Sequence, residues 1–243
     1  MATWSSVSRR VRYSAPMPSQ IIISCEHGGN RIPARYRSLF VRRTRLLRSH
    51  RGFDRGALWL ARWLATRLGA PLYAATVSRL LIDLNRSLHN PRVFSDITRS
   101  LDPVEREWIV DRYYRPHREL LENHIRELTA GGTGVVHLAI HTFTPRLRGD
   151  TRTADVGLLY DPRRSSELEF CLTWQRHIAE MPPALRVRRN YPYRGTADGL
   201  TPHLRRQLPP SLYAGIELEV NQRLVTKTGS VTTEICEALV PVF

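Results

Sequence analysis

Residues 21–33, IIISCEHGGNRIP, constrain what this chain can fold into more than any other stretch. Ile21 to Ser24 climb as a buried strand, and the run then breaks into Cys25, Glu26, His27, Gly28 and Gly29. Ionisable side chains therefore fall where a strand leaves the core and the backbone turns. In an α/β domain that is the carboxyl edge of the sheet, where ligands bind. Residues 134–141, GVVHLAIH, form a second apolar run that ends the same way, in His141 and the following TFTP. His137 sits four residues back on the same side of that strand, roughly 13 Å deeper at strand rise. It is a poor partner for His141 in one site.

The rest of the chain alternates in the same style. A basic, partly apolar segment after Pro33 reads as helical through Leu47. Leu60, Trp63, Leu64 and Leu68 recur at helical spacing over residues 57–68, and Gly69 ends that helix. Residues 71–77 and 80–84 read as short strands. Residues 102–128 form a helix with an Asp-Pro start, ended by Gly131-Gly132. A strand over 156–160, a helix over 165–180, a short strand over 186–189 and a polar loop over 190–199 follow. The strand 213–221, YAGIELEVN, and a helix over 230–239 close the chain. With 243 residues, 42% of them hydrophobic, one large domain can bury its own core. No run of about 18 apolar residues could span a membrane. The opening residues carry arginines without the continuous apolar core of a secretory signal, so residues 1–19 are expected to be a flexible arm.

Cys25, Cys171 and Cys236 are widely spread and include no CxxC, which fits neither a disulfide framework nor a cysteine zinc site. They point to a reducing compartment, most simply a cytoplasm. The formal charge of +15 raises nucleic acid as a partner. Yet of 37 basic residues only Lys227 is lysine, and the arginines are scattered without a long basic tract. A positive field attracts a small anionic substrate equally well. An anion- or nucleic-acid-binding protein on a degenerate hydrolase scaffold is thus the second expectation.

Several side chains could carry chemistry. Asp54 precedes the helix 57–68, where an aspartate either satisfies free amides or serves a site. Arg79 and Arg86 bracket an apolar segment with Asp83 between them. Guanidinium groups held at strand ends suit fork-like binding of a carboxylate, or else pair structurally with Asp83. Glu217 and Glu219 share one face of the strand 213–221, and two such carboxylates need partners or a cavity. His124 reads as a packing or surface residue, and His117 stays open. Two imidazoles, His27 and His141, with the carboxylate of Asp54 are the ligand types of a catalytic zinc with one position left for water. Glu219 could take a proton from that water and return it to a leaving amine. Glu26 is an alternative third ligand, although in a continuing strand it points away from His27. The competing chemistry is a cysteine hydrolase with Cys25 as nucleophile. Cys25 has no motif of its own, and a buried strand-end cysteine is ordinarily packing.

The segments CEHGGNRIP, HRGFDRGA, SRLLIDLNR, YYRPH, HTFTPRLRG, ADVG, NYPYRG with DGLT, and IELEVNQ occur in that order. Together they resemble the N-formylglutamate amidohydrolase family over most of residues 20–225. The resemblance implies a metal-dependent amidohydrolase related in fold to zinc carboxypeptidases and aspartoacylase. That means one three-layer αβα domain over residues 20–243 with a central mixed sheet. By position it makes His27 and His141 zinc ligands, Asp54 the carboxylate ligand and Glu219 the general base. LIDLNR is similar to the DLNR motif of aspartoacylase-like enzymes, which implies that Asn85 and Arg86 hold a substrate carboxylate with Arg79 in support. Arg194, in the YRG loop, would clamp a second carboxylate. The chain departs from these relatives twice. Asn30 stands where the carboxypeptidase pattern has a glutamate, and Glu26-His27 stands where classical members read Pro-His. The expected reaction is hydrolysis of the N-acyl amide of an acidic amino acid such as N-formylglutamate.

Overall fold

A computed structural model describes residues 19–242, so the N-terminal arm expected over residues 1–19 lies, Ser19 excepted, outside the described residues. Ser19 opens β1 (Ser19–Cys25), which ends two residues before His27. A 3₁₀ segment (Ala34–Phe40) and a single helical turn, α1 (Thr44–Leu47), then occupy the stretch expected as one helix. The following elements are α2 (Ala57–Leu68), β2 (Leu72–Ala74), α3 (Pro103–Ile109), α4 (Arg115–Ala130) and β3 (Gly134–Phe143). A small hairpin, β4 (Arg146–Leu147) and β5 (Asp150–Thr151), leads into β6 (Val156–Leu159). The chain closes through α5 (Ser165–Glu180), β7 (Val187–Arg189), α6 (Leu200–Arg205), β8 (Tyr213–Asn221) and α7 (Thr233–Ala238).

Six strands form one mixed sheet in the order β2-β1-β3-β8-β6-β7, parallel throughout except between β6 and β8. Alternation along the central strands sends side chains to two cores. Ile23, Leu138, Ile140, Ile216, Leu218 and Val220 pack with Leu60 and Leu64 of α2, Trp174 of α5 and Ile235 of α7. Ile22, Val135 and Tyr213 face the other way, onto Leu121 and Ile125 of α4 and Leu200 and Leu204 of α6. The three-layer αβα architecture is therefore as expected, and each buried leucine in it contributes about 2 kcal/mol. A third cluster, including Ile32, Tyr36, Phe40, Leu81, Ile82, Ile109 and Tyr114, packs the 3₁₀ segment, the 80–84 stretch and the end of α3 together.

Two expectations need correction. Residues 80–84 are not a strand, although Leu81 and Ile82 are fully buried. Their backbone is satisfied by side chains and loops instead of a ladder. Leu80 O accepts from Ser95 Oγ at 2.5 Å, Leu81 O from Thr98 Oγ1 at 3.0 Å, and Asp83 N donates to Val93 O at 2.8 Å. The helix over 102–128 is broken by a π-turn, Val110–Tyr114, immediately before Arg115-Pro116. Pro116 has no N–H and crowds the preceding turn, so a widened turn relieves both defects.

Close backbone approach fixes the glycine beside the site. A Cβ on Gly157 of β6 would overlap the Tyr191 carbonyl and lie 3.3 Å from the Glu219 Cβ. Backbone cannot swing aside as a side chain can, so Gly157→Ala is expected to destabilise the chain by about 3 kcal/mol, the upper end of overpacking costs. Urea unfolding measures this. An unchanged midpoint would mean that the 190–199 loop does not pack on β6 in solution.

Candidate metal centre

His27, Asp54 and His141 arrive from three elements. His27 lies in the turn after β1, where a Cβ on Gly29 would come within 2.5 Å of Thr76 O and 2.8 Å of Thr76 Cα, so only glycine fits there. His141 is near the end of β3, directly across from Glu219 on β8 in the parallel register. Asp54 precedes α2, and its amide donates to His27 O at 2.9 Å. The helix is capped by Gly56 without any side-chain bond, so Asp54 is not a helix cap. One ligand-type atom from each of these three residues lies within 4.8 Å of the others, and all three residues are buried.

Both imidazoles turn Nδ1 inward and Nε2 outward. His27 Nδ1 lies 3.4 Å and His141 Nδ1 3.0 Å from Asp54 Oδ2, with the two rings 5.1 Å apart. On the outer side His27 Nε2 is 2.7 Å from Asp83 Oδ1, and His141 Nε2 is 3.1 Å from Glu26 Oε2. The other oxygen of Asp54 accepts from Arg79 and lies 3.0 Å from His50 Nδ1. Burial alone would raise the Asp54 carboxyl, but Arg79 and the three histidines hold it well below the usual range. Burial and Arg79 oppose charge on His27, and Asp83 and Asp54 outweigh them and raise its pKa. His141 is likewise raised well above the usual value, because Asp54 and Glu26 overcome its burial.

Buried polar atoms without hydrogen-bond partners test whether these residues suit a cation. His27 Nδ1 and Glu219 Oε2 are among them, on groups otherwise shut away from water. Leaving such atoms unpaired costs about 1–3 kcal/mol each. A donor set of two imidazoles and a carboxylate, with a second buried acid, Glu219, beside it, fits a divalent metal ion.

The remaining candidates are distributed around this centre. Glu219 is buried, and burial lifts its carboxyl to about 7 against the pull of His141. Its neighbour on the same face, Glu217, accepts instead from Thr201 Oγ1 at 2.9 Å. Asn85 Oδ1 accepts from Leu200 N at 2.8 Å, and Arg86 Nε lies 3.6 Å from Asp83 Oδ2. Arg79 stands on Asp54 and not beside Asn85 in the hydrogen-bond pattern. Arg194 is exposed on the 190–199 loop, with no carboxylate paired to it among the described residues. His137 is held in the sheet by Ser24 and Tyr213 at 2.8 and 2.9 Å, and burial pushes its pKa down to about 4. His124 bonds Tyr73 at 2.7 Å, away from the centre. Cys25 is fully buried in the α2-side core, and burial, with Glu26 and Asp54 nearby, raises its thiol well above the usual value. It is poorly placed to act as a thiolate.

Sequence reasoning missed three participants. Asp83 pairs with His27 on one oxygen and Arg86 on the other, where it had been read only as a partner of arginines. His50, four residues before Asp54, was not singled out. Asp198 accepts from Ser87 N at 3.1 Å and Asn90 Nδ2 at 2.6 Å, tying the 190–199 loop to the segment after Arg86. The signals were present in HRGFD, LIDLNR and TADGLT, but spacing alone does not say which carboxylate meets which imidazole.

No curated protein matches the chain. Among solved structures it is similar to a gene product of Agrobacterium tumefaciens, with 29% identity and a TM-score of 0.74 over 91% of this chain and 87% of the other. It is also similar in fold to an N-formylglutamate amidohydrolase of Ralstonia eutropha, with 22% identity and a TM-score of 0.67 over 92% of this chain and 89% of that one. The family model described as N-formylglutamate amidohydrolase matches residues 19–226, which takes in all three ligand-type residues, both arginines of the 79–86 segment and Glu219. On that match, the chain belongs to the N-formylglutamate amidohydrolase family.

Proposed function

We infer that the protein is a zinc-dependent amidohydrolase that cleaves the N-acyl amide of an acidic amino acid, with N-formylglutamate as the reference substrate. The observation that carries this reading is the convergence of His27, Asp54 and His141 from distant points in the chain, beside a glutamate whose carboxyl burial lifts to about 7. Membership of the family supports this substrate class.

His27, Asp54 and His141 would hold the ion. When bound, it supplies a Lewis acid for the amide carbonyl and makes water more acidic. Glu219, across from His141 in the register, accepts the proton of the water that attacks the acyl carbon. It then delivers that proton to the amide nitrogen as the C–N bond breaks, so N-formylglutamate and water give formate and glutamate. Asn85 and Arg86 receive the α-carboxylate, and Arg194 reaches for the second carboxylate from its exposed loop. Guanidinium forks suit both tasks. Arg79 works one step further out, holding Asp54 ionised and oriented.

Metal analysis of the purified chain together with an assay of released glutamate tests this reading. About one zinc per chain is expected, with activity lost on chelation and regained on adding zinc. His27→Ala and His141→Ala should each lose metal and activity together. A doubly substituted chain that keeps its full zinc content, or a zinc-loaded wild type that hydrolyses no N-acyl amino acid, would reject it.

A further inference from the structure

Glu26 stands apart among the charged residues described. It is fully buried, yet neither carboxylate oxygen has a hydrogen-bond donor among the described residues. Glu167, the other fully buried glutamate, shows what a structural carboxylate looks like in this fold. It accepts from Asp161 N at 2.8 Å, Gly215 N at 3.1 Å and Arg205 Nε at 2.9 Å. Glu26 has instead two imidazoles in ion-pair contact but outside hydrogen-bonding geometry: His141 Nε2 at 3.1 Å from Oε2, and His117 Nε2 at 3.8 Å from Oε1. His117 comes from α4, one residue after the Pro116 that forces the π-turn, and its own Nε2 has no hydrogen-bond partner.

We propose that Glu26 is a positioning residue for the candidate metal centre, fixing the His141 ring from its Nε2 side so that Nδ1 is turned toward Asp54, with His117 holding Glu26 in turn. The inference rests on the metal reading given above. It replaces the reading of Glu26 as a third ligand, because the His141 ring stands between the Glu26 carboxylate and Asp54. The arrangement repeats on the other imidazole, where Asp83 meets His27 Nε2 and leaves Nδ1 for Asp54. A carboxylate on the outer nitrogen selects the tautomer and raises the basicity of the inner one, and loss of such a partner typically weakens metal binding 10–100-fold. Each imidazole of the centre thus has its own carboxylate, one from the turn after β1 and one from the segment before Asn85.

Glu26→Gln keeps the volume and removes the charge. Competition between the folded, full-length variant and a chromophoric chelator for zinc is expected to show about 10–100-fold weaker binding than wild type. Long-range proton–nitrogen NMR of the zinc-loaded protein should show the His141 ring nitrogens changing shift as the ring loses its fixed tautomer. A merely structural role would move neither reading. His117→Gln should weaken zinc binding less, and should add nothing in the Glu26→Gln background, because it acts through the same carboxylate. If Glu26→Gln does not fold, His117→Gln carries the same two readings with the carboxylate in place. Zinc affinity within about twofold of wild type in the folded variants, against the loss expected for a removed partner, overturns the proposal while leaving the metal reading standing. A wild-type chain that binds no zinc overturns both.

Discussion

Glu219→Gln is expected to lower kcat by a factor on the order of 10²–10⁴ while the protein keeps its metal. The amide retains the size of the side chain and one acceptor oxygen but cannot take a proton, so substrate and ion should still bind. Burial lifts the Glu219 carboxyl to about 7, with Asp54 and Glu217 adding to the lift and His141 and Arg79 opposing it. As a base it must be deprotonated, so kcat/KM should rise with pH along its acid limb. The midpoint should fall at or below about 7, since a cation in the centre draws the carboxyl down. The same substitution should stabilise the metal-free chain. The folded state keeps the Glu219 proton up to about 7, whereas the unfolded chain releases it near 4.5. Between those values the native state binds more protons, so this group's contribution to stability falls as pH rises through that window and stays lost above it. Removing the charge should therefore raise unfolding stability above pH 7 by an amount on the order of 3 kcal/mol, with little difference near pH 4. Steady-state kinetics and urea unfolding at the two pH values measure both halves. A kcat loss below about tenfold would remove Glu219 from the proton transfers.

How much of this centre could be read from the sequence follows from what holds each part in place. His27 and His141 were legible because one follows the end of β1 by two residues and the other lies two residues before the end of β3, and strand periodicity survives translation into structure. The Glu219 face was legible for the same reason. Asp54 was ambiguous, since an aspartate before a helix is ordinarily a cap, and only its tertiary partners separate the two roles. Residues 80–84 misled because a short apolar run is the same in a ladder and in an edge cluster. The hydroxyls of Ser95 and Thr98, far along the chain, satisfy that backbone. The outer carboxylates were hidden for a related reason. Asp83 and Glu26 are adjacent in sequence to other plausible partners, and their pairing with particular ring nitrogens exists only once the turn after β1, β3 and the irregular 80–93 segment are folded together. Arg79 illustrates the limit of positional analogy. Its place beside the DLNR-like segment implied a substrate contact, whereas its guanidinium goes to Asp54.

Asp54→Asn should have the broadest consequences of any single change. The carboxylate is almost wholly buried among Arg79, His27, His50 and His141. The amide keeps the shape but offers one acceptor and a donor group to neighbours that are themselves donors, and it leaves Arg79 without its counter-ion. Breaking a buried pair by removing one partner costs about 3–5 kcal/mol, and the metal-free variant is expected to be less stable by that amount at pH 7. Zinc content should fall below about one tenth of the wild-type level, and kcat/KM by at least about 10³-fold, because the proposed centre would lose its only charged ligand. The pH dependence gives the sign a check. Burial would raise the Asp54 carboxyl, but Arg79 and the histidines depress it below its unfolded value. Its contribution is therefore fully present above that unfolded value, near 4, and is lost as pH falls through the lower folded value. The stability gap between wild type and variant should be flat above about pH 5 and should narrow in more acidic solution. A variant that loses stability but keeps full zinc content would make Asp54 a structural partner of Arg79 and remove it from the metal centre.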